Sequence, residues 1–230
     1  MTEAPCAPCR PASPNFGARR DGLRAHLVVL HYTAMQSAEA ARARLCDPAA
    51  EVSAHYLIGR DGRLWPLVDE AARAWHAGQG EWSGQGDVNS RSIGIELDNG
   101  GDHPFSEPLM TTLEDLLAGV MRRHSIPPAG VIGHSDMAPG RKQDPGPRFD
   151  WARLARRGLA LAPRAGRALP PDPARFRDIA QSAGFTAPAA DADLLAAVRL
   201  RLRPSARGPL AIADMAAIDG FARALPSSQI

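Results

Sequence analysis

Ser92-Ile93-Gly94-Ile95-Glu96-Leu97 reads as a β-strand with two chemically different faces. Alternation at period two puts Ile93, Ile95 and Leu97 on one side and Gly94, Glu96 and Asp98 on the other. The apolar side calls for a layer packed over it, and Gly94 leaves room beside the carboxylate on the opposite side. A strand glutamate more commonly faces water. One partly desolvated among strand residues has a raised pKa and is suited to carry protons.

Two other short apolar runs lead directly into polar chemistry. Leu27-Val28-Val29-Leu30-His31 is a buried-strand pattern ending in a histidine, followed by Tyr32-Thr33. Val131-Ile132 precedes Gly133-His134-Ser135-Asp136-Met137-Ala138-Pro139-Gly140-Arg141-Lys142-Gln143-Asp144-Pro145-Gly146-Pro147, a Pro- and Gly-rich loop with a defined irregular path. Neutral imidazole and carboxylate both bind a borderline-soft divalent ion, and three protein ligands with an open fourth position make a catalytic zinc site. The loop supplies two candidates, His134 and an aspartate, and His31 is the candidate third. His55 and His76 are further candidates, either as ligands or, preferred here because zinc needs only three protein ligands, as groups that brace the site by hydrogen bonds.

Between these runs the chain reads as follows. Ser37 caps a helix through Leu45. Val52–Ile58 and Leu64–Val68 form a hairpin across Asp61-Gly62, with Pro66 marking an edge strand or a bulge. Gln79–Ser90 is a polar loop long enough to wall a substrate cleft. Apolar residues from Leu109 to Met121 recur at helical spacing, with Ser106 as the cap, and another helix starts near Phe149–Leu154. The expected architecture is α/β, a mixed central sheet flanked by helices, with the site at strand ends and loops. Residues 1–20 read as an extension that wraps the surface or stays disordered, 21–162 as the catalytic domain and 163–172 as a linker. Residues 173–230 read as a small all-α unit whose first helix starts at the Asp172 cap with Pro173 in its first turn.

The chain has 230 residues and a formal net charge of +2, which carries no electrostatic footprint for nucleic acid. Cys6, Cys9 and Cys46 are too few for a disulfide framework. Neither a membrane span nor a secretory leader is legible, so the expected location is cytoplasmic, or periplasmic if a leader is missing from this chain.

Taken together, His31-Tyr32-Thr33, Ser53-Ala54-His55-Tyr56, Ala74-Trp75-His76-Ala77-Gly78, Ser92–Leu97 and the run from Gly133 to Trp151 resemble the zinc-dependent N-acetylmuramoyl-L-alanine amidases, in both their muropeptide-recycling and outer-membrane lipoprotein types. The resemblance implies one zinc ion per chain on His31, His134 and Asp144, with Glu96 as proton carrier and Lys142 as oxyanion stabiliser. Tyr32, His55, His76 and Ser135 would contact substrate or support the ligands. The implied reaction is hydrolysis of the amide between N-acetylmuramic acid, or its 1,6-anhydro form, and L-alanine, with peptidoglycan or an anhydro-muropeptide as partner. Related phage-lysozyme amidases carry a tyrosine where this chain has Ala54, which favours Glu96 as the proton carrier. The C-terminal unit resembles a peptidoglycan-binding helical domain, although Ala197-Val198-Arg199 stands where such repeats commonly have Phe-Gln. The alternative is a recognition module of the same fold that has lost catalysis.

Overall fold

The computed structural model describes residues 13–226; Cys6, Cys9 and most of the expected N-terminal extension lie outside the described residues. Among the described residues, seven strands form two sheets. Short β1 (Phe16–Gly17) pairs antiparallel with β5 (Arg73–Ala74). The main sheet contains β2 (Leu27–Tyr32), β3 (Tyr56–Ile58), β4 (Leu64–Pro66), β6 (Ser92–Leu97) and β7 (Val131–Gly133), in the order β4-β3-β6-β2-β7. The sheet is mixed: β3, β6, β2 and β7 run parallel, and β4 is an antiparallel edge, as Pro66 requires.

The helices are α1 (Ala38–Cys46), α2 (Val88–Arg91), α3 (Glu107–His124), α4 (His134–Met137), α5 (Trp151–Arg156), α6 (Pro173–Ser182), α7 (Asp191–Leu202) and α8 (Ile212–Ala222). The first is capped by the Ser37 hydroxyl, which accepts from the Ala40 N–H. Asp172 likewise accepts from the Arg175 N–H at the start of α6, with Pro173 in the first turn. Ser106 departs from expectation. It flanks α3 without capping it, because its hydroxyl donates to the Arg60 carbonyl at the hairpin turn.

The alternation in β2 and β6 separates two cores. Val28, Leu30, Ile93, Ile95 and Leu97 face α3, where they meet Leu109, Leu113 and Leu117. Leu27, Val29 and Ile132 face the other way, onto a layer that includes Phe176, Leu194, Val198, Met215 and Phe221 from the C-terminal helices. These helices therefore form the covering layer for one face of the central sheet. A third, smaller cluster seats α1 on Leu57 and Trp65.

Residues 13–19 carry no hydrophobic periodicity, yet they are bound into this fold. The Ser13 hydroxyl donates to the Leu45 carbonyl, and the Asn15 amide to the carbonyls of Asp47 and Val52. The segment between α5 and α6 is equally attached. The Arg164 N–H donates to the Gly220 carbonyl, the Arg167 N–H to Asp219, and the Arg167 guanidinium pairs with Asp219 as well. Gly166 and Gly220 allow this approach, since a Cβ on either would overlap the facing backbone.

Candidate active site

Three parallel strands end at one place. His31 is the penultimate residue of β2, and its register partner on β6 is Glu96. On the other side of β2, Leu30 pairs with Gly133, so His134 leaves β7 beside them. Adjacent strands lie about 4.8 Å apart, and this fixes the lateral spacing of the three side chains. The chain leaves β2 toward β3 and leaves its neighbour β6 toward β7, in opposite directions, and such a switch point is where open α/β sheets place their ligands.

His134 was expected in an irregular loop; instead it opens the one-turn helix α4. Asp136 sets this turn by accepting the Gly133 N–H at 2.8 Å. The loop then returns so that the Asp144 carbonyl accepts the Ser135 N–H at 2.9 Å, tying the two ends together. Three ligand atoms converge as a result. His31 Nδ1 lies 2.9 Å from His134 Nδ1 and 2.8 Å from Asp144 Oδ2, and His134 Nδ1 lies 3.0 Å from the same oxygen.

The hydrogen-bond network assigns the protons. His134 Nε2 is 2.8 Å from the Ala77 carbonyl, which can only accept, so the proton sits on Nε2 and Nδ1 presents a lone pair. A longer relay fixes His31. The Ser92 hydroxyl donates to the Val88 carbonyl at 2.6 Å and thus accepts from His76 Nε2 at 3.2 Å. His76 Nδ1 is left as an acceptor for His31 Nε2–H at 3.0 Å, and His31 Nδ1 is left unprotonated. Two imidazole lone pairs and a carboxylate oxygen then face one another at hydrogen-bond distance with no proton between them. That arrangement fits a cation. The triangle's corners lie about 1.7 Å from its centre, so ligand bonds of about 2.0–2.1 Å can reach all three atoms from one point.

The electrostatics agree with metal ligation. Burial, then the neighbouring His134, lowers the His31 pKa to about 4, so it stays neutral near pH 7. Burial alone would raise the Asp144 carboxyl; the two imidazoles outweigh it and hold the group below its ordinary value only by donating to it, a part that a cation takes when both Nδ1 atoms are lone pairs. Glu96 behaves oppositely. Burial, reinforced by the charge of Asp144, raises its pKa well above the usual range, although Lys142 opposes the shift. Glu96 Oε2 is shielded from water and has no hydrogen-bond partner among the described residues, leaving an acceptor free for the reacting groups.

A cleft of about 460 Å³ opens over this cluster. Its floor holds His31, His134, Asp144 and Glu96, and its rim includes Tyr32, Met35, Trp75, Arg141 and Lys142. Of the supporting candidates, Tyr32 lines the cleft and packs against Gly101 and Gly146. His76 lines it too and contacts His31 directly. His55 is fully buried away from the ligand cluster, where its Nδ1 accepts the Gly94 N–H at 2.9 Å and burial lowers its pKa to about 4. Ser135 is buried and contributes only its backbone to the loop closure.

The polar loop read as a substrate wall does something else. None of Gln79–Ser90 lines the cleft. Its tip turns to the C-terminal helices, where Ser83 N–H donates to the Gly184 carbonyl and Trp82 meets Phe185 edge to face at 5.1 Å. Apolar Trp82 is the signal that this loop docks rather than lines solvent. Sequence reasoning also passed over three residues. Asn89 Oδ1 accepts from both His76 and Ala77 N–H groups, fixing the Trp75–Gly78 turn. Ser92 anchors His76, and Arg19 donates to the carbonyls of Glu70, Ser90 and Ser92 at the start of β6.

Parallel strands ending in a His, His, Asp cluster beside a half-buried glutamate form a candidate metal centre of a mixed α/β fold. Residues 21–147 match the N-acetylmuramoyl-L-alanine amidase family, and the chain belongs to it. It is 38% identical over 160 residues to the N-acetylmuramoyl-L-alanine amidase AmiD of Escherichia coli K12, covering 63% of this chain and 57% of AmiD, so it spans little more than half of that relative. It is 34% identical over 162 residues to the 1,6-anhydro-N-acetylmuramyl-L-alanine amidase AmpD of the same organism, covering 63% of this chain and 88% of AmpD. Among solved structures, AmiD in complex with its substrate anhydro-N-acetylmuramic acid-L-Ala-D-gamma-Glu-L-Lys superposes with a TM-score of 0.77 at 28% identity, over 94% of this chain and 91% of that one. AmpDh3 of Pseudomonas aeruginosa gives 0.77 at 29% identity, over 97% and 98%.

Proposed function

We propose that this chain is a zinc-dependent N-acetylmuramoyl-L-alanine amidase that hydrolyses the amide between the lactyl group of N-acetylmuramic acid and L-alanine. The observation that carries the reading is the convergence of His31 Nδ1, His134 Nδ1 and Asp144 Oδ2, within 3.0 Å of one another, on the floor of a cleft shared with Glu96 and Lys142. The anhydro-muropeptide named with AmiD is the substrate proposed here, in keeping with the family's chemistry.

His31, His134 and Asp144 would hold the zinc, which would supply Lewis acidity and lower the pKa of water toward about 7. Glu96, held basic by its buried setting, takes a proton from the attacking water and passes it to the alanine nitrogen as the C–N bond breaks. Lys142, on the rim, places its ammonium where negative charge develops on the carbonyl oxygen, an interaction at full strength only in the transition state. His76 and Ser92 keep the His31 proton on Nε2 so that Nδ1 remains a ligand.

The test incubates purified protein with anhydro-N-acetylmuramoyl-L-alanyl peptide and with intact sacculi, before chelation, after it and after zinc return. Peptide release abolished by chelation and restored by zinc supports the reading, and the preferred substrate separates recycling from wall cleavage. Stoichiometric zinc without release from either substrate would put the recognition-module reading first.

A further inference from the structure

Arg201 belongs to α7, yet its guanidinium is buried against the segment that carries His134. Nη1 donates to Asp136 Oδ2 at 2.5 Å and Nη2 to the Val131 carbonyl at 3.1 Å. The group lies 3.8 Å from the Trp151 ring centroid and 5.1 Å from that of Phe221. The same Asp136 oxygen accepts the Gly133 N–H, so the contacts of this unit fall on residues 131, 133 and 136 and bracket His134 from both sides. Both side chains are almost completely buried, at 2% and 1% exposure.

A pair buried this deeply is a poor device for stability alone, because well-packed apolar side chains of similar volume would serve as well. Its distinctive property is direction, since the rigid fork of arginine satisfies two acceptors in one plane. Among the described residues, the other ion pairs of the C-terminal helices close locally: Arg199 and Arg203 on Asp214, Arg177 on Asp191, and Arg167 and Arg223 on Asp219. Among the described residues, Arg201–Asp136 is the one ion pair that crosses from these helices to the sheet.

We propose that Arg201 is a positioning residue for the metal centre, and that the C-terminal helices use it to hold the strand-to-turn segment 131–136, and with it His134, in ligating geometry. This rests on the reading of His134 as a zinc ligand. It gives the C-terminal helices a part in catalysis that does not depend on their touching the glycan.

The experiment measures zinc dissociation constants of the full chain by competition with a chromogenic chelator, for the wild type, Arg201→Lys, Arg201→Met and Arg167→Met. Lysine keeps the charge but cannot serve Asp136 and the Val131 carbonyl together. The Arg167 variant breaks an ion pair remote from the ligand turn and controls for general loss of stability. Arg201→Lys is expected to weaken zinc about tenfold, in the range seen for groups that orient metal ligands. Arg167→Met should stay within about twofold of wild type, because remote sites act independently. If Arg201→Met fails to fold, Arg201→Lys decides the matter. Unchanged zinc affinity in Arg201→Lys overturns the proposal. A wild type that takes up no stoichiometric zinc sinks the ligand reading and this inference with it, whereas a zinc-replete wild type with indifferent variants removes only the inference.

Discussion

Replacing Ser92 by alanine removes one hydroxyl that neither lines the cleft nor touches a metal ligand, yet zinc affinity is expected to fall. The Ser92 hydroxyl is the acceptor for His76 Nε2–H, and His76 in turn accepts from His31 Nε2. Without it, two outcomes are open to the buried imidazole. His76 keeps its tautomer and leaves a buried donor unsatisfied, at a cost of about 1–3 kcal/mol. Otherwise its proton moves to Nδ1, His31 must accept instead of donate, and the His31 proton moves to Nδ1, the atom facing His134 and Asp144. That form cannot ligate. The unsatisfied donor is therefore the most that can hold the ligating tautomer in place. At about 1.4 kcal/mol per factor of ten, the expected loss of zinc affinity is roughly 5- to 150-fold. Chelator competition measures the affinity, and urea unfolding of the metal-free protein measures any cost taken as stability. If Ser92→Ala folds with zinc affinity and metal-free stability both equal to wild type, the relay assignment is refuted.

Three further outcomes follow from the same geometry. Glu96→Gln should lower kcat by about 10²- to 10⁴-fold with zinc content intact. Because the Glu96 pKa is raised, the wild-type activity should fall with decreasing pH above the ordinary glutamate range, as initial rates from pH 4 to 9 will report. Lys142→Met should lower kcat by about 10²- to 10³-fold without weakening zinc, read from kinetics alongside metal analysis. Metal-free stability should drop as pH falls from about 6.5 to about 4. His55 is held neutral by burial, and its folded pKa of about 4 lies below the unfolded value of 6.5, so the unfolded state binds the extra proton in that window and stability present above it is lost. His55 contributes about 3 kcal/mol of this, with His31 titrating in the same window, and His55→Asn, which keeps an acceptor for the Gly94 N–H, should reduce that slope in urea midpoints measured across the window.

Much of the site was legible because it depends on short-range rules. Period-two alternation alone put Glu96 opposite Ile93 and Ile95, and that is where the sheet places it, since a strand buried on both faces admits no slip in register. Strand-terminal histidines and a Pro/Gly-rich return loop announced that His31, His134 and an aspartate could come together, and Asp172-Pro173 announced a helix start. The residues that were not legible act across large sequence separations. Asn89 and Ser92 look like ordinary polar residues until the fold brings the Trp75–Gly78 turn against them. Arg201 and Asp136 are 65 residues apart, and nothing local in either segment shows that they share a buried site. Gln79–Ser90 was misread for a related reason: loop composition reveals polarity but not the neighbour a lone Trp82 will find.

The attachment of residues 164–167 along α8 has a consequence for how such an enzyme would search a polymer. A binding module on a free tether samples a volume that grows with tether length and raises the local concentration of its catalytic partner over that whole volume. Here the connecting segment is hydrogen-bonded to Gly220 and Asp219, and the helices it leads to are committed to covering Leu27, Val29 and Ile132. Residues 164–167 are thus no casting line, and a strand or fragment held on these helices would move together with the sheet they cover.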